Sequence, residues 1–435
     1  MDAFVKHLKL SIYKIGLFGL SLIFLPIFFF LSLIVRLNAD VRSKPRLVWG
    51  STPIINNSYW SGSMVEAGFD SETYTTDFFS TINKRQDWDR ILSEEFPYVW
   101  WPIKPFFAFL TSLFRYDIFF ISFNGFFLGR TPLRFFQAFF LKLAAKKIIV
   151  IPYGADSYVY RNIRSVGLLQ GLMMSYPKAS MQQESILCDV QYWVKHAHVI
   201  LPGFMGPDGF GRWDALMPSS LTLDLRRWQP STRINLSSGD CDEVVIVHSP
   251  NHRGFKGSEF ITEAVDLLIA EGLKVKLIIL ERIQNKEVRR ILHEEADILV
   301  EQIIFTGHGL NGLEGMASGL PTISNLEDEN YVVPMRRWSY FGECPLVSAT
   351  PEDLVDVLRK LVTKPQLRTQ LGRAGRLYVE KYHGYDSAQY LFANVIDYVY
   401  GRKETLINLY HPLLGEYPNR SQKIQHPLVN NRIAD

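Results

Sequence analysis

Residues 244–258 read VVIVHSPNHRGFKGS and carry the pattern that decides the fold of this 435-residue chain. The apolar run 244–248 is typical of a strand that is buried on both faces. A short polar loop follows, and Ser258 stands where a helix cap is expected, before apolar residues that repeat at helical spacing up to Gly272. A buried strand that passes through a short loop into a helix is the building unit of a parallel sheet.

The same unit recurs on both sides of this stretch. Further buried strands are predicted at 46–50, 117–123, 147–151, 198–202, 275–280, 297–300 and 321–324. Helices are predicted between them, among them 132–145, 286–295 and one that starts at Gly312. Alternating strands and helices imply parallel sheets with right-handed crossovers. The sequence therefore predicts an α/β protein with two Rossmann-like domains that face a cleft.

A polar stretch at 231–242 separates the two series of strands. We expect a first domain over 45–235 and a second over 240–385. A closing helix and an irregular tail are expected over 386–435. Residues 1–40 are expected to form an N-terminal tail and a membrane anchor helix, which spans about 15–35.

The anchor is predicted from residues 15–35, which carry no charge between Lys14 and Arg36. At about 1.5 Å per residue, this helix is about 30 Å long, the thickness of one hydrocarbon core. A cleavable signal peptide is the alternative, but the apolar run is too long and no small-residue cleavage site follows it. We therefore expect a single-pass transmembrane helix. The flanking Lys and Arg residues, together with the few cysteines, slightly favour a cytosolic C-terminal side.

A second apolar region lies within residues 96–140, which hold eighteen aromatic residues. Several cations lie among them, including Lys104, Arg115 and Arg130. Aromatic and basic side chains together suit the headgroup region of a membrane. A phenylalanine-rich core with a few snorkelling cations is the alternative, and the sequence leaves both open.

Composition excludes several classes of protein. The chain has 47 basic and 44 acidic residues, a net charge of +3, so it lacks the basic field of a dedicated nucleic-acid binder. Cys188, Cys241 and Cys344 lie far apart, which excludes a disulfide framework and makes a thiolate zinc site unlikely on spacing. We therefore expect no thiolate zinc site and no nucleic-acid partner.

The loop at 251–258 is the first candidate site. A helix N-terminus has unpaired N–H groups and a positive dipole end, and both attract phosphate. Arg253 and Lys256 would add full charges there, Gly257 would let a ligand approach the backbone, and Ser258 would cap the helix. A solvated basic turn with an ordinary cap is the alternative.

The second candidate is the segment 306–321, which reads TGHGLNGLEGMASGLP. Gly307 and Gly309 open a helix, and Glu314 is expected in its first turn, where its carboxylate could accept the two vicinal hydroxyls of a ribose. A capping carboxylate stabilised by the helix dipole is the alternative. The segment also contains a G-x-G-x-x-G pattern, but it comes too late in its domain for a dinucleotide fingerprint.

Two further candidates follow strands of the first domain. Asp156 comes just after the strand 147–151, and a carboxylate at that end of a parallel strand faces the crevice where ligands bind. A turn-forming aspartate is the alternative. Gly50 and Ser51 end the first strand and offer a backbone cradle for a sugar or an acceptor.

These segments resemble the family 4 type of retaining, GT-B fold glycosyltransferases, of the kind found in bacterial surface-polysaccharide synthesis. Lys256 and Gly257 resemble the family's pyrophosphate-binding segment, and the residues from Gly307 through Glu314, Met316 and Ala317 to Pro321 resemble its E-G-F-G…E-A-M-A-x-G-x-P signature. Residues 153–156, reading YGAD, are similar to its H-G-x-D.

The resemblance implies a nucleotide-diphosphate sugar as the donor substrate and retention of configuration, with no bound metal and no cofactor. Donor binding would fall to Gly50, Ser51, Lys256, Gly257, Ser258, Gly307, Gly309, Glu314, Met316 and Ala317, and catalysis to Asp156, Arg253 and Lys256. A lipid-linked or glycan acceptor would enter from the first domain. The chain would lie in the bacterial inner membrane with its catalytic part on the cytoplasmic side.

The chain departs from the family pattern at three positions. Thr306 stands where the family has its first glutamate, Tyr153 replaces the usual histidine, and Asn251 replaces the usual arginine. Two alternatives therefore stay open: a catalytically silent partner in a membrane polysaccharide complex, and a nucleotide-sugar 2-epimerase.

Overall fold

The chain divides into two units, each built on its own parallel sheet. A computed structural model describes residues 2–38, 44–205, 210–233, 235–240 and 242–434. Unit 1 comprises Met1–Ser80, Lys84–Ser157 and Ile186–Leu201, and unit 2 comprises Thr81–Asn83, Tyr158–Ser185 and Pro202–Asp435. Part of the polar stretch 231–242, together with Cys241, lies outside the described residues.

Unit 1 is built on a six-stranded parallel sheet with the order β3-β2-β1-β4-β5-β6. Its strands are β1 Leu47–Ser51, β2 Ser71–Thr75, β3 Arg90–Ile91, β4 Ile118–Ile121, β5 Lys147–Val150 and β6 Val199–Ile200. Its helices are α1 Asp2–Leu37, α2 Ile55–Glu66, α3 Lys104–Arg115, α4 Gln137–Leu143 and most of α6 Gln183–His196. Trp49 on β1 pairs with Phe120 on β4, and their rings stack at 3.7 Å, which joins the two central strands.

Unit 2 is built on a five-stranded parallel sheet with the order β11-β10-β9-β7-β8. Its strands are β7 Val244–His248, β8 Val275–Ile279, β9 Ile298–Thr306, β10 Thr322–Asn325 and β11 Val347–Ser348. Its helices are α5 Val166–Ser175, α7 Arg253–Lys256, α8 Ser258–Ala270, α9 Asn285–Glu294, α10 Leu310–Ala317, α11 Glu329–Trp338, α12 Leu354–Thr363, α13 Pro365–Tyr382 and α14 Tyr385–Val399. After α14 the chain makes short turns and the antiparallel pair β12 Leu428–Val429 and β13 Arg432–Ile433.

Three local predictions are corrected by the structure. Gly257, with φ +76°, precedes the first turn of α8, so Ser258 is not the cap but the first helical residue. The strand predicted at 297–300 continues to Thr306, past two polar residues that interrupt its apolar run. The helix predicted over 132–145 begins only at Gln137, because residues 134–136 form a tighter 3₁₀ turn.

The apolar N-terminal helix is present. Among the described residues, only the part of α1 from Tyr13 to Leu37 is long and apolar enough to cross a membrane. This finding agrees with the predicted span in length and composition.

Candidate functional site

Two loops of unit 2 meet at one edge of its sheet. Strands β7 and β9 are neighbours, with Ile246 opposite Ile298. The carboxyl end of β7 leads into α7, and that of β9 leads through Gly307 and Gly309 into α10. The carboxyl edge of an open parallel sheet is where such folds bind their ligands. The structure thus places both predicted donor-binding segments at the same edge.

Lys256 at the end of α7 is buried, and its ammonium group has two partners. It donates hydrogen bonds to Glu301 Oε1 at 3.2 Å and to Gln302 Oε1 at 2.5 Å. Glu301 has no solvent exposure, and its Oε1 also accepts the N–H of Gly309 at 2.7 Å. The predicted phosphate-binding cation is therefore paired with a buried carboxylate in this structure.

Glu301 reaches this position because of a bulge in β9. Val300 pairs with Ile323 and Gln302 pairs with Ser324, so Glu301 is an extra residue between consecutive pairs. In a regular strand, adjacent side chains point to opposite faces. The bulge allows the side chains of both Glu301 and Gln302 to contact Lys256.

The second carboxylate oxygen of Glu301, Oε2, is a buried polar atom without a hydrogen-bond partner among the described residues. A Cβ atom at Gly312 would lie 2.1 Å from this oxygen, so only glycine leaves room for the carboxylate. Buried carboxylate oxygens normally accept hydrogen bonds, so Glu301 Oε2 is an unused buried acceptor.

Glu314 lies in α10, with its carboxyl group buried. Its Oε1 accepts from Asn285 Nδ2 at 3.1 Å, and its Oε2 accepts from Asn311 Nδ2 at 3.2 Å. Burial raises its pKa to about 7, and the charge of Glu301 adds to the shift. Since α10 begins at Leu310, Glu314 lies in the second turn of the helix, whereas the sequence predicts the first turn. Its carboxyl group therefore does not act as a cap of this helix.

Two histidines lie beside these groups. His308 and His383 are buried with ring centroids 5.6 Å apart, and burial lowers their pKa values to about 4 and about 3. Both rings are therefore neutral at pH 7. His383 Nδ1 lies 2.8 Å from the carbonyl oxygen of Leu221 and so carries the proton. Its Nε2 is then a buried acceptor.

Other predicted donor contacts have different partners in the structure. Arg253 is exposed and pairs with Glu281 at 2.7 Å. The hydroxyl of Ser258 is buried and lies 2.8 Å from His248 Nε2. A Cβ at Gly257 would lie 2.6 Å from Ile303, so this glycine is needed for packing against β9. These contacts indicate structural roles for Ser258 and Gly257.

The remaining predicted residues of this segment also pack tightly. Met316 and Ala317 are buried, and Met316 contacts Gly375 of α13. A Cβ at Gly307, whose φ is +101°, would lie 2.6 Å from the ring of Phe204, and one at Gly309 would lie 2.9 Å from Glu301 Oε1. Both glycines therefore allow the backbone to lie close to neighbouring side chains at the carboxyl edge.

Comparison with known proteins now adds to this geometry. No family model matches the chain, and no curated protein matches it. Among solved structures, sucrose-phosphate synthase from Thermosynechococcus elongatus superposes with a TM-score of 0.53 and 12% identity, over 83% of this chain and 100% of that one. The chain has the GT-B fold.

Two other solved structures overlap with this GT-B chain at lower scores. An α-glucosyltransferase in complex with UDP and a 13-mer DNA gives a TM-score of 0.49 at 10% identity, covering 81% of this chain and 100% of that one. A putative UDP-N-acetylglucosamine 2-epimerase from Listeria monocytogenes gives a TM-score of 0.46 at 10% identity, covering 84% of this chain and 99% of that one.

In unit 1 of this GT-B chain, Asp156 is a buried carboxylate held by backbone N–H groups. Its Oδ2 accepts from Phe123 at 2.9 Å, and its Oδ1 accepts from Tyr153 at 3.0 Å and Gly154 at 3.1 Å. Burial raises its pKa to about 6, against the opposing effect of these bonds. Asp156 thus joins the loops that follow β4 and β5 and shapes the carboxyl edge of this sheet.

Gly50 and Ser51 lie at the carboxyl end of β1, at the same edge as Asp156 in unit 1. A Cβ at Gly50 would lie 2.0 Å from the carbonyl oxygen of Tyr74, so a side chain does not fit there. The Ser51 hydroxyl accepts the N–H of Phe127 at 3.2 Å and lies 3.5 Å from the carbonyl oxygen of Gly125. Both residues pack within unit 1.

Sequence reasoning missed Glu301, Gln302, Asn285 and His383. Glu301 and Gln302 carried a usable signal, because they interrupt the apolar run ILVEQIIF at 298–305. A charged residue inside a buried strand needs a partner, and Lys256 is that partner. Asn285 and His383 lie on other helices or turns, and no pattern in the sequence connects them with Glu314 or His308.

Proposed function

We propose that this chain is a glycosyltransferase that moves a sugar from a nucleotide-diphosphate sugar to a lipid-linked glycan acceptor. Retention of configuration, absence of a metal and a role in bacterial surface-polysaccharide synthesis belong to the same proposal. One observation carries it: Lys256, Glu301 and Glu314 lie together at the carboxyl edge of the unit 2 sheet in a GT-B chain.

The diphosphate of the donor would bind at Lys256. At present the ammonium group is neutralised by Glu301. Donor binding would then exchange this contact for phosphate oxygens, while the unsatisfied oxygen of Glu301 would accept a hydroxyl of the donor. A lysine held in a dry site stabilises the leaving diphosphate more strongly than one in water.

The ribose of the nucleotide would bind at Glu314. An ionised carboxylate accepts two hydroxyl donors, but a protonated one loses acceptor capacity. Because burial raises its pKa to about 7, this carboxyl group would change its protonation state near neutral pH. Asn285 and Asn311, which now donate to this carboxyl group, would fix its orientation.

The acceptor would be taken by unit 1. Asp156 would act there by holding the loops after β4 and β5, since its oxygens are occupied by backbone N–H groups. A lipid-linked acceptor suits a chain whose unit 1 carries the long apolar helix α1. We place the chain at the cytoplasmic face of the bacterial inner membrane, with no nucleic-acid partner.

One observation favours a second candidate, a catalytically silent member of a membrane polysaccharide complex. Lys256 is paired with Glu301, and Arg253 is paired with Glu281, so both predicted phosphate cations have carboxylate partners. Such a chain would keep the fold and lose turnover.

The test combines binding with turnover. Full-length protein in detergent is screened by thermal shift against nucleotide-diphosphate sugars, and the hits are incubated with membrane lipid extract. A ligand that binds the folded form raises its melting temperature. We expect one class of nucleotide-diphosphate sugar to raise the melting temperature of the native chain, and this increase to be lost in Glu314→Gln. When the sugar of that donor carries a label, we expect the label to appear in a glycolipid product. If donors raise the melting temperature but no glycolipid product forms with any of them, the result would support the catalytically silent partner. Conversion of the nucleotide sugar into its epimer without an added acceptor would indicate an epimerase.

A further inference from the structure

Helix α1 buries one stripe along its whole apolar length. Leu17, Ser21, Phe24, Phe28, Ser32 and Val35 are each at most 8% exposed, and we name them the docked stripe. Their spacing of three or four residues places them on one helical face. From Leu17 to Val35 this stripe extends about 27 Å at the usual helical rise.

The docked stripe packs on phenylalanines of α3 and α4. Phe28 lies 5.2 Å from Phe109 and 5.3 Å from Phe140, measured between ring centroids. Phe24 stacks on Phe106 at 4.8 Å. Phe106, Phe109 and Phe140 are at most 1% exposed, so the aromatic region of the sequence is partly a core whose cover is α1.

The opposite face of α1 is apolar and exposed. Its most exposed large side chains in the uncharged part are Ile15, Leu22, Ile23 and Phe30, between 57% and 71%. This face continues onto α3 through Phe107, 5.8 Å from Phe24, and onto α4 through Phe139, 6.3 Å from Phe29. Both of these rings are themselves exposed, at 36% and 50%. We name this combined area the lipid-facing surface.

We infer that α1 lies in the plane of the membrane, between the rest of unit 1 and the lipid, and does not cross the bilayer. An ordinary interfacial helix has a polar side toward water. Between residues 15 and 35, α1 carries no charge on any face, which fits a helix with phenylalanine rings on one side and lipid on the other. This inference deepens the proposed membrane attachment and differs from the single-pass expectation of the sequence.

Crossing the bilayer is opposed by what it would do to unit 1. If α1 left its docked position, Phe106, Phe109 and Phe140 would lose their cover, and a contiguous apolar patch would face water. If α1 crossed while still docked, α3 would enter the hydrocarbon beside it, and this 12-residue helix, about 18 Å long, begins at Lys104 and ends at the exposed Arg115, which pairs with Glu72. A charged pair exposed to lipid is strongly unfavourable.

The test is the sidedness of the two ends of α1. Tyr13→Cys and Leu37→Cys are made separately in a full-length background in which Cys188 and Cys241 are replaced by serine. The buried Cys344 is retained, so the introduced cysteine is the reactive thiol. Right-side-out spheroplasts are treated with a membrane-impermeant maleimide before and after lysis. Native Cys188, which is exposed in unit 1, reports the side of that unit in a parallel sample.

We expect both ends of α1 to be labelled on the same side as Cys188. Labelling of Tyr13→Cys on the opposite side from Leu37→Cys would overturn the inference. Neither result depends on donor binding, so this test and that of the proposed function fail independently. As a matched pair, Phe28→Ala in the docked stripe should lower the melting temperature of detergent-solubilised protein by several degrees more than Phe30→Ala. Equal melting temperatures would also contradict docking.

Discussion

The ammonium group of Lys256 lies 3.2 Å from Glu301 Oε1, and this carboxylate has no solvent exposure. Two opposite charges are thus held together at the carboxyl edge of the unit 2 sheet, at the bulge of β9. Removing one partner of a buried ion pair leaves the other charge without compensation, whereas removing both is often tolerated.

The first prediction concerns this pair. Glu301→Gln should destabilise unit 2 by about 3 kcal/mol, because the Lys256 charge loses its counter-ion. The double variant Lys256→Met, Glu301→Gln should stay within about 1 kcal/mol of the native chain. Hydrogen exchange of the peptides that contain β7 and β9, measured through a urea series, would report both values. Equal destabilisation of the single and double variants would contradict the pairing.

The second prediction concerns the pH dependence of Glu314. Its folded pKa of about 7 lies above the usual carboxyl value of 4.5, so the group adds stability below pH 4.5 that is lost as pH rises through 7. The native chain should therefore lose more stability than Glu314→Gln between pH 4.5 and 7.5. Donor affinity should run the opposite way and rise about tenfold from pH 6 to pH 8, because the ionised form binds hydroxyls.

Melting curves and donor titrations over this pH range provide the check. In Glu314→Gln, the extra loss of stability between pH 4.5 and 7.5 and the rise of donor affinity from pH 6 to pH 8 should both vanish, since the amide does not titrate. A donor affinity that falls with rising pH would contradict the role of Glu314 as a hydroxyl acceptor.

The third prediction separates structure from donor binding at Ser258. His248 Nδ1 lies 2.8 Å from the carbonyl oxygen of Val300 and so carries the proton, which makes Nε2 the acceptor of the Ser258 hydroxyl. Burial lowers the His248 pKa to about 4, so the ring is neutral at pH 7. Ser258→Ala should cost about 1–2 kcal/mol of stability and leave donor affinity unchanged.

Urea unfolding and donor titration of the same preparation test this point. Weaker donor binding at unchanged stability would instead assign the Ser258 hydroxyl to the donor.

The fourth prediction uses two glycines of unit 2. A Cβ at Gly312 would lie 2.1 Å from Glu301 Oε2, whereas a Cβ at Gly167 meets nothing within 4 Å. Gly312→Ala should therefore cost about 1–3 kcal/mol and displace the carboxylate. Gly167→Ala, in helix α5, should be neutral or stabilise by up to about 1 kcal/mol. Comparable losses in the two variants would show that the space around Glu301 is not limiting.

Much of the fold was predictable, because it depends on short-range patterns. The buried strands β4, β5 and β7 are continuous apolar runs between turn residues, and the alternation with helices indicates parallel sheets. The start of α8 was misplaced because Ser258 resembles a cap. The helix begins at Ser258 because Gly257 adopts a left-handed conformation and His248 binds the Ser258 hydroxyl. Neither this conformation nor this contact follows from the local sequence.

The site was predictable only in part. The glycine-rich loops and Glu314 follow from a local pattern, and the structure places them at one sheet edge with Lys256. The partner of Lys256 depends on a bulge in β9, which arises from pairing with β10. The orientation of Arg253 toward Glu281 likewise depends on a contact between segments 28 residues apart. Such contacts are decided by tertiary structure.

The most direct test of the central claim is isothermal titration calorimetry of the nucleotide-diphosphate sugar selected by the thermal-shift screen. It compares the full-length native chain, Glu314→Gln, the double variant Lys256→Met, Glu301→Gln, and the exposed-site control Arg253→Ala. We predict binding to the native chain, about tenfold or greater loss in Glu314→Gln and in the double variant, and a smaller change in Arg253→Ala. Unchanged affinity in Glu314→Gln and in the double variant would contradict the account.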